Sequence, residues 1–279
     1  MDDRLLELRR AALYWLAECD PARKAQGVRE LASGWSAGRV ELDSQVVLNS
    51  TGAIPGIPAK PELVLPRQVR RRSMATVEGR AVLIHALVHI EFNAINLALD
   101  AIWRFAGMPR DYYADWLRVA DEEALHFTLL ASHLLGMGYA YGDFPAHASL
   151  WEMADKTRSD PLARMALVPR TLEARGLDVV PSMRAKLAQA GDDKAAEILD
   201  VILTDEIGHV AIGNRWYVTL CEQRQLDPAA TYARLAEEYA APILRAPLNV
   251  AARRAAGFSE AELASLCSRS ENIDASTAG

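Results

Sequence analysis

The chain has 279 residues, of which 51% are hydrophobic and 24% are charged, so it resembles ordinary globular proteins and can bury one sizeable core or two modest ones. Its formal net charge of −6 gives no general basic field, which argues against nucleic acid as a partner. The three cysteines are too widely spaced for a thiolate metal site. Neither a secretory signal nor an apolar run of the ~20 residues that span a bilayer is recognisable. We therefore expect a cytoplasmic protein with no membrane partner.

The first 73 residues contain two different segments. Residues 1–49 are predicted to be a helical hairpin, with one helix over 3–18 and a second that starts after Asp20. Residues 50–73 form a proline-rich arm and a basic lead-in, in which Arg67 to Arg72 read as a solvated helix start. The prolines prevent a regular helix, and the apolar residues between them indicate an arm that lies on the protein.

Residues 74–227 carry the strongest helical periodicity and predict an all-α four-helix bundle. The third helix should be broken, because it contains Pro161 and Pro169. Residues 228–279 are predicted to be a C-terminal extension, helical as far as Ala264 and frayed from Ser268. The four bundle helices are predicted over Thr76 to Phe105, Asp111 to Leu135, Leu150 to Arg175 and Asp193 to Glu222.

A long-period repeat of acids and histidines lies within these helices. Glu91, Glu123 and His126 recur 82 or 83 residues later as Glu173, Glu206 and His209. Residues three apart on a helix share a face, so each Glu-x-x-His pair can chelate one ion, and the two further glutamates can bridge two ions. Mixed carboxylate and imidazole ligands suit iron or manganese. The pattern therefore predicts a site for two iron ions, with two manganese ions or a manganese–iron pair as alternatives.

Other polar residues near the repeat are candidates for supporting roles. Glu122 and Asp205 each precede a metal-binding pair, and a carboxylate there could accept the second ring N–H of a ligating histidine. Arg170 lies one turn before Glu173 and could pair with such an acid or anchor an anionic substrate. His147 could cap a helix or line a pocket. His85 and His89 are interpreted as structural or surface residues, because His89 lies about 200° around the helix from Glu91.

The arrangement E…[DE]-E-x-x-H…E…D-E-x-x-H resembles the ferritin-like di-iron carboxylate superfamily. More narrowly, the chain is similar over about residues 50 to 228 to the ferritin-like family catalogued as domain of unknown function 455. The resemblance implies a bundle that holds a dinuclear metal site but names no substrate. It rests on four segments: Glu91 to Phe105, Tyr141 to His147, Glu173 to Asp178 and Asp205 to Trp216.

The leading functional hypothesis is an O2-activating oxidoreductase that acts on a small organic substrate. The sequence contains no Gly-rich dinucleotide fingerprint, so electrons would come from an electron-donor protein or from the substrate. Three alternatives stay open: an iron-storage or ferroxidase protein, a manganese catalase-like peroxide scavenger, and a modifier that resembles a tRNA hydroxylase. Assembly into a homo-oligomer also stays open.

Overall fold

The structure, a computed structural model, describes residues 6–50, 52–65, 68, 73–147, 149–244 and 246–277. The chain forms two compact units, Met1–Trp151 and Glu152–Gly279. Helices make up nearly all the regular secondary structure of the described residues, which confirms the predicted all-α class. The predicted basic segment from Arg67 to Arg72 lies, apart from Gln68, outside the described residues.

The first unit opens with the predicted helical hairpin. Helix α1 spans Leu8–Ala17 and helix α2 spans Pro21–Ser36. Asp20 caps α2 by accepting a hydrogen bond from the backbone N–H of Arg23, and Pro21 occupies the first helical position, where its missing N–H costs nothing. The two helices pack on each other and cover the two longer helices that follow.

Helices α3 (Val77–Arg104) and α4 (Arg110–Gly136) form the core of the first unit and pack along each other. Thr76 caps α3, and Gly107, at φ +75°, provides the left-handed residue that turns the chain back into α4. Helix α3 is apolar and long enough to cross a membrane, but 78% of its most apolar window is buried within the protein. It is therefore interpreted as a buried core helix of the first unit.

The proline-rich arm, residues 52–65, lies on the first unit as predicted. The N–H of Gly56 donates to the carbonyl of Leu16 at the end of α1. Further along, Val64 donates to Ala146, and Ala146 donates to Glu62. These hydrogen bonds tie the arm to a helix end and to the loop that follows α4, so its position does not depend on side-chain packing alone.

The predicted third bundle helix is broken into four consecutive pieces. They are α5 (Ser149–Lys156), α6 (Pro161–Leu167), a π-helix (Val168–Glu173) and α7 (Ala174–Gln189). Pro169 has no N–H to donate to a preceding carbonyl, and the hydroxyl of Thr171 donates to the carbonyl of Ala166, five residues back. The prediction that this stretch ends near Arg175 is wrong, because α7 continues through Pro181 to Gln189.

The second unit continues with one long helix and three shorter ones. They are α8 (Asp193–Gln223), α9 (Pro228–Glu238), α10 (Val250–Ala255) and α11 (Glu260–Thr277). Helix α8 packs against α6, the π-helix and α7. Helix α11 extends to Thr277, so the helical part of the C-terminal extension is longer than the sequence predicts.

Candidate metal centre

Three predicted metal ligands meet inside the first unit. Glu91 lies on α3, and Glu123 and His126 lie one turn apart on α4. All three are at least 97% buried, and their ligand atoms lie within 4.8 Å of one another. His126 Nδ1 is 3.4 Å from Oε2 of Glu123 and 3.5 Å from Oε2 of Glu91. The structure thus brings one Glu-x-x-His pair together with the glutamate predicted to accompany it.

The three groups strongly perturb one another. The pKa of Glu91 is raised to about 8, because burial disfavours its charged form and because Glu123 lies beside it. Burial acts to lower the pKa of His126, but the Glu123 and Glu91 carboxylates outweigh it and raise this pKa to about 12. These shifts show that the carboxyl groups and the imidazole interact strongly in a buried environment.

These residues fit a bound metal ion. Hydrogen bonds between charged groups are usually about 2.7–2.9 Å long, whereas the two carboxylates lie farther than this from the imidazole, at 3.4 and 3.5 Å. Oε2 of Glu91 is buried and has no hydrogen-bond partner among the described residues. Two carboxylates and one imidazole are donors that iron and manganese accept. Glu91, Glu123 and His126 could therefore hold a metal ion.

The second Glu-x-x-His pair lies in the second unit, on α8. His209 is completely buried and Glu206 is 8% exposed, and His209 Nδ1 lies 3.9 Å from Oε2 of Glu206. Gly176 of α7 faces this pair, since a Cβ atom at position 176 would lie 3.8 Å from Oε1 of Glu206. Helix α7 therefore passes close to the Glu206 carboxylate, at a distance where a Cβ atom would make an ordinary van der Waals contact.

The π-helix and the start of α7 run along the same face of α8. A Cβ atom on Gly213 would lie only 2.5 Å from Cβ of Pro169, so the missing side chain at 213 lets the π-helix approach α8 closely. Gly213 is one turn beyond His209. Glu173 lies in the chain between Pro169, which is close to Gly213, and Gly176, which is close to the Glu206 carboxylate. Glu173 thus belongs to the segment that packs against α8.

The predicted supporting residues occupy different surroundings. Glu122 is half-buried on α4 and forms a 3.3 Å ion pair with Arg118 one turn earlier. Asp205 is half-buried on α8. Arg170 is 5% exposed and binds Asn214 Oδ1 at 2.7 Å and the Glu262 carboxylate. Its guanidinium also lies over three aromatic rings, those of Tyr217, Tyr232 and Phe258.

Sequence reasoning did not foresee a hydrogen-bonded histidine cluster on α3. His89 Nε2 donates to the carbonyl of His147 at 3.0 Å, so its Nδ1 accepts from the Tyr141 hydroxyl at 2.8 Å. The neighbouring His85 Nε2 accepts from the N–H of Gly142 at 2.9 Å. Burial lowers the pKa of both imidazoles. The imidazoles of His85 and His89 thus both form hydrogen bonds within the protein, and His147 takes part through its backbone carbonyl.

Comparison with known proteins identifies the family. The family model described as "Protein of unknown function (DUF455)" matches residues 17–264, which include all six predicted metal ligands. The chain belongs to this family. This match confirms the resemblance to the family catalogued as domain of unknown function 455. The family description specifies neither a metal nor a substrate.

A curated relative of this DUF455 protein comes from Haemophilus influenzae and is described as "Uncharacterized protein". The two are 52% identical over 217 residues, which is 75% of each chain. No solved structure matches the chain significantly. Functional inference therefore depends on the site itself.

Proposed function

We propose that the protein is a dinuclear metal carboxylate protein, with iron as its metal, that uses O2 to oxidise a small organic substrate. The observation that carries the proposal is the buried group of Glu91, Glu123 and His126. Burying two carboxylates and an imidazole so close together is costly unless a cation compensates for the negative charge. A divalent cation bound by all three groups would remove most of that cost.

The second ion is proposed from the repeat in the sequence. Glu206 and His209 have the same spacing as Glu123 and His126, and the face of α8 that carries them also faces the segment of Glu173. In this proposal Glu173, Glu206 and His209 supply the second half of a six-ligand site. The ferritin-like bundle belongs to the same proposal, with α3 and α4 providing one helix pair and α7 and α8 the other.

The chemistry follows from the ligand types. When bound, two ferrous ions would supply electrons to O2, and carboxylate ligands that can change their binding mode would open a position for it. The protein's own groups would hold the ions and keep bulk water out, since Glu91, Glu123 and His126 are all at least 97% buried. A small substrate is favoured over a storage role by the length of chain outside the four predicted bundle helices. The electron donor is proposed to be a partner protein or the substrate.

The test is O2 consumption by protein loaded anaerobically with Fe(II). We expect stoichiometric O2 uptake and a new oxo-bridged absorption band, both lost in Glu206→Ala. Glu197→Ala is the matched control, because Glu197 lies on the same helix with its side chain 68% exposed. No O2 uptake by the iron-loaded wild type would contradict the proposed activity.

The same experiment separates the alternatives. Accumulation of many irons per chain would indicate storage, whereas a preference for manganese together with turnover of H2O2 would indicate a peroxide scavenger. Equal behaviour of Glu206→Ala and Glu197→Ala would remove α8 from the proposed ligand set.

A further inference from the structure

A small cavity lies beneath the proline-rich arm in the first unit. Its volume is about 50 Å³. Since one water-sized group needs roughly 10–15 Å³ of such space, the cavity has room for about four such groups. The arm contributes three prolines, Ile57 and Leu63 to the wall, and α3 contributes a face that includes Phe92.

The cavity has a preformed shape. The prolines of its wall have φ angles that are restricted by the ring. The hydrogen bond from Gly56 to Leu16 holds one end of the arm, and the bonds between residues 62–64 and Ala146 hold the other. A site whose walls are already in place loses little conformational entropy when it binds a ligand.

The polar side chains of the wall are engaged with other protein groups or are inaccessible. His89 uses both ring nitrogens on groups of the segment that follows α4. Asn93 Nδ2 donates to the carbonyl of His89 at 2.8 Å. Asn96 is fully buried, so its amide offers no accessible surface to a molecule in the cavity. The surface that remains is therefore mainly apolar, and it includes the rings of Phe92 and Trp151.

Water is a poor occupant of such a cavity. A buried water molecule typically forms about two to four hydrogen bonds with polar groups of the protein, and this wall has few such groups to spare. A small apolar molecule has no hydrogen bonds to lose on leaving water, and it gains van der Waals contacts with the wall. The cavity therefore favours an apolar occupant.

The cavity wall reaches the protein surface along the arm. Ile57 is 59% exposed and Leu63 is 42% exposed, although both residues line the cavity. A small molecule can therefore enter at the arm without separation of the buried helices α3 and α4.

From these features we propose that the cavity binds a small apolar molecule of up to about four non-hydrogen atoms. Dioxygen and short hydrocarbons share this chemistry. The occupant contacts Phe92, Leu63 and the prolines of the arm, and it needs no hydrogen bond from the protein. Asn93 and His89 lie about 160° around α3 from Glu91, so this site uses a different face of the helix from that metal ligand. The inference does not rest on the proposed metal function.

The experiment compares isobutene with acetamide, which has the same branched arrangement of non-hydrogen atoms but contains an oxygen and a nitrogen. Methyl signals of the full-length protein are followed by NMR with 13C-labelled isoleucine and leucine. We expect isobutene to shift the signals of Ile57 and Leu63 saturably. Acetamide should bind at least about fivefold more weakly, because its amide would be buried without partners.

Leu65 provides the internal control, because it belongs to the same arm, is 54% exposed and lies outside the cavity wall. Signals of Ile57 and Leu63 that respond to isobutene no differently from those of Leu65 would show a packing void that binds nothing, and would overturn the proposal. Acetamide binding as tight as that of isobutene would overturn it as well.

Dissolved O2 distinguishes the two kinds of occupant. Because O2 is paramagnetic, a molecule held in the cavity broadens the methyl signals of the wall. Stronger broadening at Ile57 and Leu63 than at Leu65 would identify dioxygen as an occupant. Saturable shifts with isobutene in the absence of such broadening would assign the cavity to hydrocarbons.

Two matched truncations in the arm test the wall itself. We expect Leu63→Ala to weaken isobutene binding about 3- to 10-fold, measured on the Ile57 methyl signal, because the occupant loses contacts with the leucine side chain. Leu65→Ala should leave the affinity unchanged. Equal affinities of the two variants would contradict a binding site formed by Leu63 and the rest of this wall.

Discussion

Replacing Arg170 by methionine should destabilise the second unit without directly removing a metal ligand. Arg170 is only 5% exposed, and its guanidinium connects three parts of that unit. It donates to Asn214 on α8, forms an ion pair with Glu262 on α11 and lies 4.9 Å from the ring centroid of Phe258. Methionine fills part of the same volume but makes none of the polar contacts.

The expected loss follows from these contacts. Truncating one member of a buried ion pair typically costs about 3–5 kcal/mol, because the remaining charge loses its partner. Glu262 is 26% exposed and can regain some hydration, which favours the lower end of that range. Each cation–π contact adds roughly 0.5–1 kcal/mol. We therefore expect the free energy of unfolding to fall by about 3–4 kcal/mol.

Urea denaturation of Arg170→Met and of a matched control measures this loss. Arg184→Met is the control, because Arg184 and Asp200 form a 2.9 Å ion pair in the same unit with exposed side chains. An exposed pair contributes at most about 1 kcal/mol. Equal, small losses in the two variants would refute the assignment of Arg170 as a buried link between α8 and α11.

Three further predictions concern Lys24, Gly213 and the two acids that precede the Glu-x-x-His pairs. Burial lowers the pKa of Lys24 to about 7, so above that pH the Lys24 amine carries a proton in the unfolded chain and not in the folded protein. The free energy of unfolding of the wild type should therefore rise, relative to that of Lys24→Met, by roughly 2–3 kcal/mol between pH 7 and 9. Parallel pH dependences of the two proteins in urea denaturation would disprove this. The free energy of unfolding of Gly213→Ala should be about 1–3 kcal/mol lower than that of the wild type in the same assay, because the new Cβ would lie 2.5 Å from Cβ of Pro169. Unchanged stability would contradict the close approach of the π-helix to α8. If Asp205 orients a ligating histidine, Asp205→Ala should weaken Fe(II) binding 10- to 100-fold in chelator competition, whereas Glu122→Ala should have little effect. A larger loss of Fe(II) affinity in Glu122→Ala would assign the orienting role to Glu122.

Much of the fold could be predicted from local sequence signals. Thr76 and Gly107 mark the ends of α3, and Asp20 followed by Pro21 marks the start of α2. The break in the third helix follows from Pro161 and Pro169. These signals succeed because caps, prolines and left-handed glycines act within a few residues of their position.

Interactions between distant segments could not be predicted from local sequence signals. Helix α7 continues through Pro181, which a local rule treats as a helix breaker. Lys24 is fully buried against Asn96, and Arg9 is 1% exposed and donates to the backbone of α3, although such residues are normally placed at the surface. Their burial depends on carbonyl and amide groups far away in the chain, which no local pattern reveals.

In the candidate site, too, local features were predicted from the sequence and long-range features were not. Spacing on one helix predicted that Glu123 and His126 would lie together, and the repeat added Glu91 to them. Gly213 lets the π-helix approach the face of α8, and this role was not predicted because it depends on which helix packs against the glycine. Arg170 was expected to pair with an acid beside the metal ligands or with an anionic substrate, whereas it forms an ion pair with Glu262, 92 residues away.

The most direct test of the central claim is the number of metal ions bound per chain after anaerobic Fe(II) loading and removal of excess metal, measured by elemental analysis for the wild type and for Glu123→Ala. We predict about two irons per wild-type chain and a clear loss in the variant, since Glu123 is a buried member of the candidate group. A wild-type protein that binds no iron or manganese, or a variant that keeps full occupancy, would contradict the proposal that these residues form a metal centre.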